Sequence, residues 1–196
     1  MITRRNFCAF AAGAALIRPA SLLAASPEGT AALRARAERA LALHAARIEH
    51  ADIIGIVDFA APSRQPRFHV VELATGRTVT MLVSHGRGSD PAHSGWLHSF
   101  SNQPGSKASS DGAYLTGPIY EGRHGRSRRL IGLDDSNSNA EMRGLVIHAA
   151  DYVSLAMAAT AGKIGRSEGC LAVAPADRDK LLDLLGPGRL IYAGRA

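Results

Sequence analysis

Apolar residues recur along this chain with two different periods, and the period changes near Asp52. Thr30 to His50 carries Leu33, Ala37, Leu41, His44 and Ile48 at helical spacing in a stretch rich in Ala, Leu, Arg and Glu. That pattern predicts one helix lying on a domain surface. Beyond Asp52, short apolar or alternating runs are separated by turn residues. Ile53 to Phe59 reads as a buried strand. Arg67 to Leu73 alternates, Ala74-Thr-Gly-Arg77 turns, and Thr78 to Ser84 returns as the second arm of a hairpin. Ala113 to Gly117, Arg129 to Leu133, Gly144 to His148 and Arg189 to Tyr192 are further short strands. Asp151 to Ala161 reads as a helix, and so does Pro175 to Leu185, opened by proline and closed by Gly186. Gly86 to Ser110 is long, small and polar, the kind of segment that carries function when it occurs inside a compact domain. Many short strands with few helices predict a mostly β domain, a β-sandwich or partly closed barrel over 52–196, with an N-terminal helical extension over 26–51.

Residues 1–25 change that picture, because they read as a targeting segment and not as part of the fold. Thr3-Arg-Arg-Asn-Phe7 is a twin-arginine pattern, the stretch from Phe7 to Ile17 is apolar, and Ala24-Ala-Ser26 offers small residues for cleavage. The arrangement resembles a Tat export signal and implies a periplasmic or cell-wall location. Its removal takes away three arginines and no acids, so the net charge falls from +6 to +3. The basic balance is then weak ground for a nucleic-acid partner. No apolar run is long enough to hold the mature chain in a membrane. Cys8 also goes, which leaves Cys170 as the single thiol, unable to form an internal disulfide in an oxidising compartment.

The neighbours of that thiol point to chemistry. Gly165-Arg-Ser-Glu-Gly-Cys170 is the densest run of unusual residues, and the apolar Leu145-Val-Ile147 upstream ends in His148. A strand ending in His presents an imidazole at a sheet rim, and a glycine-containing loop lets a thiol approach it. A base within hydrogen-bond reach generates the thiolate and later returns the proton to a leaving amine. Gly169, lacking Cβ, leaves room around backbone N–H groups suited to an oxyanion.

His148 and Ser167-x-Gly169-Cys170 resemble the active-site signature of the peptidoglycan L,D-transpeptidases of the YkuD-type fold. Val83-Ser-His-Gly-Arg-Gly-Ser89, Ser99-Phe-Ser-Asn102, Ser109-Ser-Asp-Gly-Ala-Tyr114, Arg129-Leu-Ile-Gly-Leu133 and Asn137-Ser-Asn-Ala140 extend the resemblance in the order of the murein branch. The resemblance implies a catalytic domain that attacks the third, L-centred residue of a stem peptide, releases the fourth-position D-Ala and holds a thioester until an amine resolves it. It implies Cys170 as nucleophile and His148 as general base and acid. Ala149, through its carbonyl, would orient the imidazole, Ser167 would line the site, and the N–H groups of Gly169 and Cys170 would bind the oxyanion. Tyr114 and the loop around Asn102 and Ser110 would form the substrate groove, with His85 facing it. The partners would be stem peptides, no cofactor or metal would be needed, and a carbapenem would acylate Cys170. Three departures stand out: Ala149 follows the His where many members have Gly, Leu171-Ala172 replaces a common Arg or Asn two positions after the Cys, and Glu168 precedes Gly169. The second leaves the substrate carboxylates without a partner, for which Arg166 is the candidate.

Other readings rest on fewer residues. The same site would serve an L,D-carboxypeptidase if water resolved the thioester. His85, His93 and His98 would suit a zinc-dependent murein amidase, but their spacing matches no usual ligand motif. His93, His98 and His124 lie in polar segments and read as solvated. Arg123 to Arg129 reads as a solvated basic loop, or as the contact of a non-catalytic wall-binding module.

Overall fold

The computed structural model describes residues 27–195. The signal-like segment 1–25 and its cleavage site lie outside those residues. One eight-stranded sheet organises the chain, in the order β3-β2-β1-β8-β4-β5-β6-β7. The strands are β1 (Ile53–Asp58), β2 (Phe68–Glu72), β3 (Thr78–Met81), β4 (Gly112–Gly122), β5 (Gly125–Gly132), β6 (Val146–Ala149), β7 (Leu171–Val173) and β8 (Leu190–Gly194). Beyond the end of β3, Val83 bridges Val173 of β7, so the two edges of the sheet meet at one residue pair. The result is a curled single sheet and not a closed barrel, and no second sheet occurs among the described residues.

Central strands are apolar because both of their faces are covered. β1 is buried from Ile54 onward and lies between antiparallel β2 and parallel β8. β8, the last strand in sequence, sits mid-sheet between β1 and β4. One face holds a core that includes Phe68, Tyr114, Ile147, Leu171 and Ile191. The other is covered by helix α1 (Pro27–Leu43), which buries Leu33 and Ala37 completely against Ile54, Ile56 and Leu190. Complete burial of Leu33 contributes about 2 kcal/mol. The predicted N-terminal helix is thus a layer packed on the same sheet, and it ends a turn and a half earlier than its apolar spacing suggested. His44, just past its end, binds Asp134 at 2.8 Å.

The other predicted strands are present with shifted bounds, and two expectations change. β7 was not apparent as a strand, because its three residues follow the nucleophile loop without a turn signal. The Arg123–Arg129 run is no solvated loop: Arg123 and His124 form the tip of the β4–β5 hairpin, and Arg128 is buried, donating to the carbonyls of Gly117 and Leu182. Its strand position decides this, since alternate residues of β5 must face the core. Helix α2 (Leu155–Ala161) is shorter than expected because Ser154 caps it, and α3 (Pro175–Leu184) follows β7 directly. Gly86 to Ser110 contains only a single 3₁₀ turn, Arg87–Ser89.

Candidate active site

Parallel neighbours require a crossover of a dozen residues or more. β6 and β7 are parallel, and residues 150–170 between them hold α2 and the whole Gly165–Cys170 loop. The register pairs His148 with Ala172, two residues beyond Cys170. Cys170 stands immediately before β7, so the register brings the nucleophile loop within one strand spacing of His148, and Cys170 Sγ donates to the Gly144 carbonyl at 3.7 Å. Twenty-two positions in sequence become one strand spacing across and two residues along.

Hydrogen bonding fixes the tautomer of His148. Its Nδ1 lies 2.8 Å from the Ala149 carbonyl, which only accepts, so Nδ1 carries the proton and Nε2 keeps its lone pair. Burial lowers the imidazole pKa, partly opposed by that bond. Burial likewise raises the Cys170 thiol, while the Val146 N–H and the charges of Arg123 and Arg143 pull it down. Low polarity around both groups therefore favours a neutral thiol beside a neutral imidazole at rest.

The nucleophile loop is held from within and from one side. Ser167 Oγ donates to the Cys170 carbonyl and accepts the Gly169 N–H at 3.1 Å. That amide is therefore engaged, whereas the Cys170 N–H, like those of Arg166 and Glu168, makes no hydrogen bond among the described residues. Gly169 has φ +114°, and a Cβ there would come within 2.6 Å of the Ala108 carbonyl. A left-handed conformation and this close approach both demand glycine. Ser84, His85 and Arg87 run alongside and bond the backbone of Ala172 and Ser167.

His85 does not face an open groove. It is 1% exposed, its Nδ1 accepts from Arg67 Nη2 at 2.8 Å, and its Nε2 approaches Asp90 at 3.3 Å. Arginine cannot accept, so His85 is neutral and donates to Asp90. Burial and the Arg67 charge push it down to about 4, and Asp90, which also accepts the N–H groups of Ser94 and Gly95, sits at about 2. Arg67 is fully buried, stacks over Phe59 and donates to the carbonyls of Ala61 and Val83. Burial lowers its pKa to about 9.

The other predicted groove residues brace the site. Tyr114 is 3% exposed and its hydroxyl donates to the Ser110 carbonyl, so it supports the wall from beneath. Asn102 ties Asp135, Ser138 and Asn139 together, and Ser110 donates to Ser101. Arg166 is engaged by the carbonyls of Asp90 and Pro91. Glu168 points outward to Arg87 and Lys107, with only a small repulsive effect on the thiol. His85 and His98 both approach Asp90 while His93 turns to the Ile164 carbonyl, and no group of three metal-ligating side chains is assembled among the described residues. No helix among the described residues is long and apolar enough to cross a membrane.

Sequence reasoning missed four residues around Cys170 and His148. Arg143 clamps the 101–110 segment, donating to Ser101 at 2.7 Å, Ser110 at 2.6 Å and Ala108. Tyr152 packs against Gly165, and its hydroxyl is raised to about 12 by burial and by Cys170. His124, expected to be solvated, stacks on His148 with ring centroids 4.2 Å apart and planes 23° from parallel. Arg123 beside it donates from Nε to His124 Nε2 at 2.9 Å. The Arg-His-Gly turn was the available signal, but only the hairpin's register shows where its tip arrives.

A model of the L,D-transpeptidase catalytic domain matches residues 28–193. No curated protein matches. Among solved structures, the chain is similar to an L,D-transpeptidase from Mycobacterium smegmatis (13% identity, 73% of this chain and 58% of that one, TM-score 0.44). It is similar also to L,D-transpeptidase 3 from Mycobacterium tuberculosis (13%, 74% and 61%, TM-score 0.47). A third is the helical cell shape determining protein Pgp2 from Campylobacter jejuni (12%, 76% and 48%, TM-score 0.48). The chain thus spans less than two thirds of each of these proteins. With its β6–β7 crossover and the match that runs from α1 to β8, the chain belongs to the L,D-transpeptidase catalytic domain family.

Proposed function

We propose that the chain is an exported peptidoglycan L,D-transpeptidase in which Cys170 and His148 perform acyl transfer. The observation that carries this reading is the β6–β7 register, which sets His148 one strand from the Cys170 loop, with Nδ1 of the imidazole held by Ala149 and the Nε2 lone pair unprotonated. Cys170 Sγ attacks the carbonyl carbon of the L-centred third residue as its proton passes to His148 Nε2. The Cys170 N–H stabilises the resulting oxyanion. Collapse breaks the C–N bond, the D-Ala amine leaves with the proton from His148, and a thioester remains. An acceptor amine then gives its proton to His148 and forms the new amide, and the thiol is restored. Because thiol and imidazole rest neutral, His148 must act as a general base in the attack and does not merely pair with a preformed thiolate.

Incubating the mature protein with purified disaccharide tetrapeptides tests the proposal. Mass analysis is expected to find released D-Ala and dimers joined from one third residue to another, both absent with Cys170→Ala. Tripeptides in place of dimers would reassign the same residues to L,D-carboxypeptidase chemistry. Product formation that survives Cys170→Ala would overturn the mechanism. By the same chemistry a carbapenem is expected to add to Cys170.

A further inference from the structure

The residues after the nucleophile, Leu171 and Ala172, are buried and apolar, so β7 supplies no cation to the site. Arg166 is held by loop carbonyls and Arg87 by Glu168. Two cations exert charge on the Cys170 thiol, Arg143 and Arg123. Arg143 is engaged by four oxygens of the 101–110 segment. Arg123 is different. It is exposed, and beyond its Nε bond to His124 its terminal nitrogens make no hydrogen bond among the described residues. Its Nε bond ties it to the ring stacked on His148, and its charge reaches His148 and Tyr152.

The leaving amine must come within hydrogen-bond reach of His148 to receive its proton. In a leaving D-amino acid the α-carboxylate is two bonds from that nitrogen, on the far side from the attacked carbon. A cation beside the face of His148 therefore meets the leaving residue and not the acyl portion. We propose that Arg123 anchors the terminal carboxylate of the departing D-amino acid, held in place by the stack of His124 on His148. This assignment rests on the transpeptidase reading above. It makes the site favour stems that end at the fourth residue, since an amidated terminus offers no charge to a guanidinium and an extended one carries its charge one residue further away. Planar two-nitrogen donation to a carboxylate is what the free end of Arg123 presents. His124 is a positioning residue, because its Nε2 fixes the guanidinium and its ring fixes the tip.

Steady-state kinetics with two tetrapeptide donors, one ending in free D-Ala and one in D-Ala amide, test the anchor. For the parent protein, kcat/KM is expected to favour the free acid by about 10- to 100-fold, the range of a charge-assisted hydrogen bond. Arg123→Ala should bring the ratio of kcat/KM for the two donors close to one, chiefly through a higher KM for the acid relative to the amide, and Arg123→Lys should restore part of the ratio. His124→Phe keeps a ring over His148 but gives Arg123 no acceptor, so it should raise KM for the acid with kcat little changed. Retention of the parent's acid preference in Arg123→Ala would overturn the anchor while leaving the Cys170–His148 mechanism intact. Failure of the parent to turn over either donor would instead overturn the transpeptidase reading, and the anchor with it.

Discussion

Two groups of charged and aromatic side chains flank Cys170, and they are built in opposite ways. On one side Arg67, His85 and Asp90 are buried, mutually bonded and tied to backbone carbonyls. On the other, Arg123 and His124 stand at an exposed hairpin tip and meet the site through one ring stack and one hydrogen bond. Each half contains a histidine beside an arginine. Only burial and partner count differ, and those decide the role. The buried histidine has both nitrogens satisfied and holds the segment that lines up with Ser167, so it supports position. The exposed one leaves an arginine with free donors, so it can meet a ligand. His148 lies between these extremes, with one nitrogen fixed and one left for the thiol proton.

Substitutions on the two sides should therefore separate chemistry from stability. The largest effect falls on the reacting pair: His148→Ala should lower kcat/KM by roughly 10²- to 10⁴-fold in a D-Ala release assay, the usual contribution of general acid–base catalysis. On the buried side, Arg67→Met leaves the carbonyls of Ala61 and Val83 and the Nδ1 of His85 without donors. The cost is on the order of 2–4 kcal/mol, read in thermal unfolding as a Tm lower by roughly 5–15 °C.

The same side should make stability depend on pH. His85 titrates at about 4 when folded, below its ordinary value of 6.5, so the unfolded chain binds the proton first. Its contribution is present above pH 6.5 and lost as pH falls towards 4. Asp90, at about 2 against 3.8, extends the loss below that. Urea unfolding at pH 7 and pH 4 should differ by up to about 3 kcal/mol from His85 alone, and His85→Gln should flatten the difference. A smaller effect is expected at Arg143, whose charge lowers the thiol. Arg143→Ala should slow iodoacetamide alkylation of Cys170 at pH 8 by about 2- to 5-fold, the scale of a partly exposed charge interaction.

Much of this was legible in the sequence, for reasons that differ by element. β1, the β2–β3 hairpin and α3 carry period and turn signals strong enough to read directly. The pairing of His148 with the Cys170 loop was readable because both lie in distinctive local runs. The role of Leu171–Val173 as the parallel partner of β6 was not readable, since three apolar residues carry no period. Tyr114 and His85 look like groove residues from their motif neighbours, but burial is set by the sheet's curl and by Arg67, far away in sequence. Arg123 and His124 went unread for the opposite reason. Their neighbourhood resembles a polar turn, and only the length of β4 and β5 carries that turn to the active site.

Intact-mass measurement of the quenched reaction shows whether Cys170 carries the acyl group. With a tetrapeptide donor and no acceptor amine, the expected mass increase equals the donor less its terminal D-Ala, mapped to the peptide containing Cys170 and released by hydroxylamine. Turnover of the donor with no such adduct at Cys170, or with an adduct on another residue, would contradict that role.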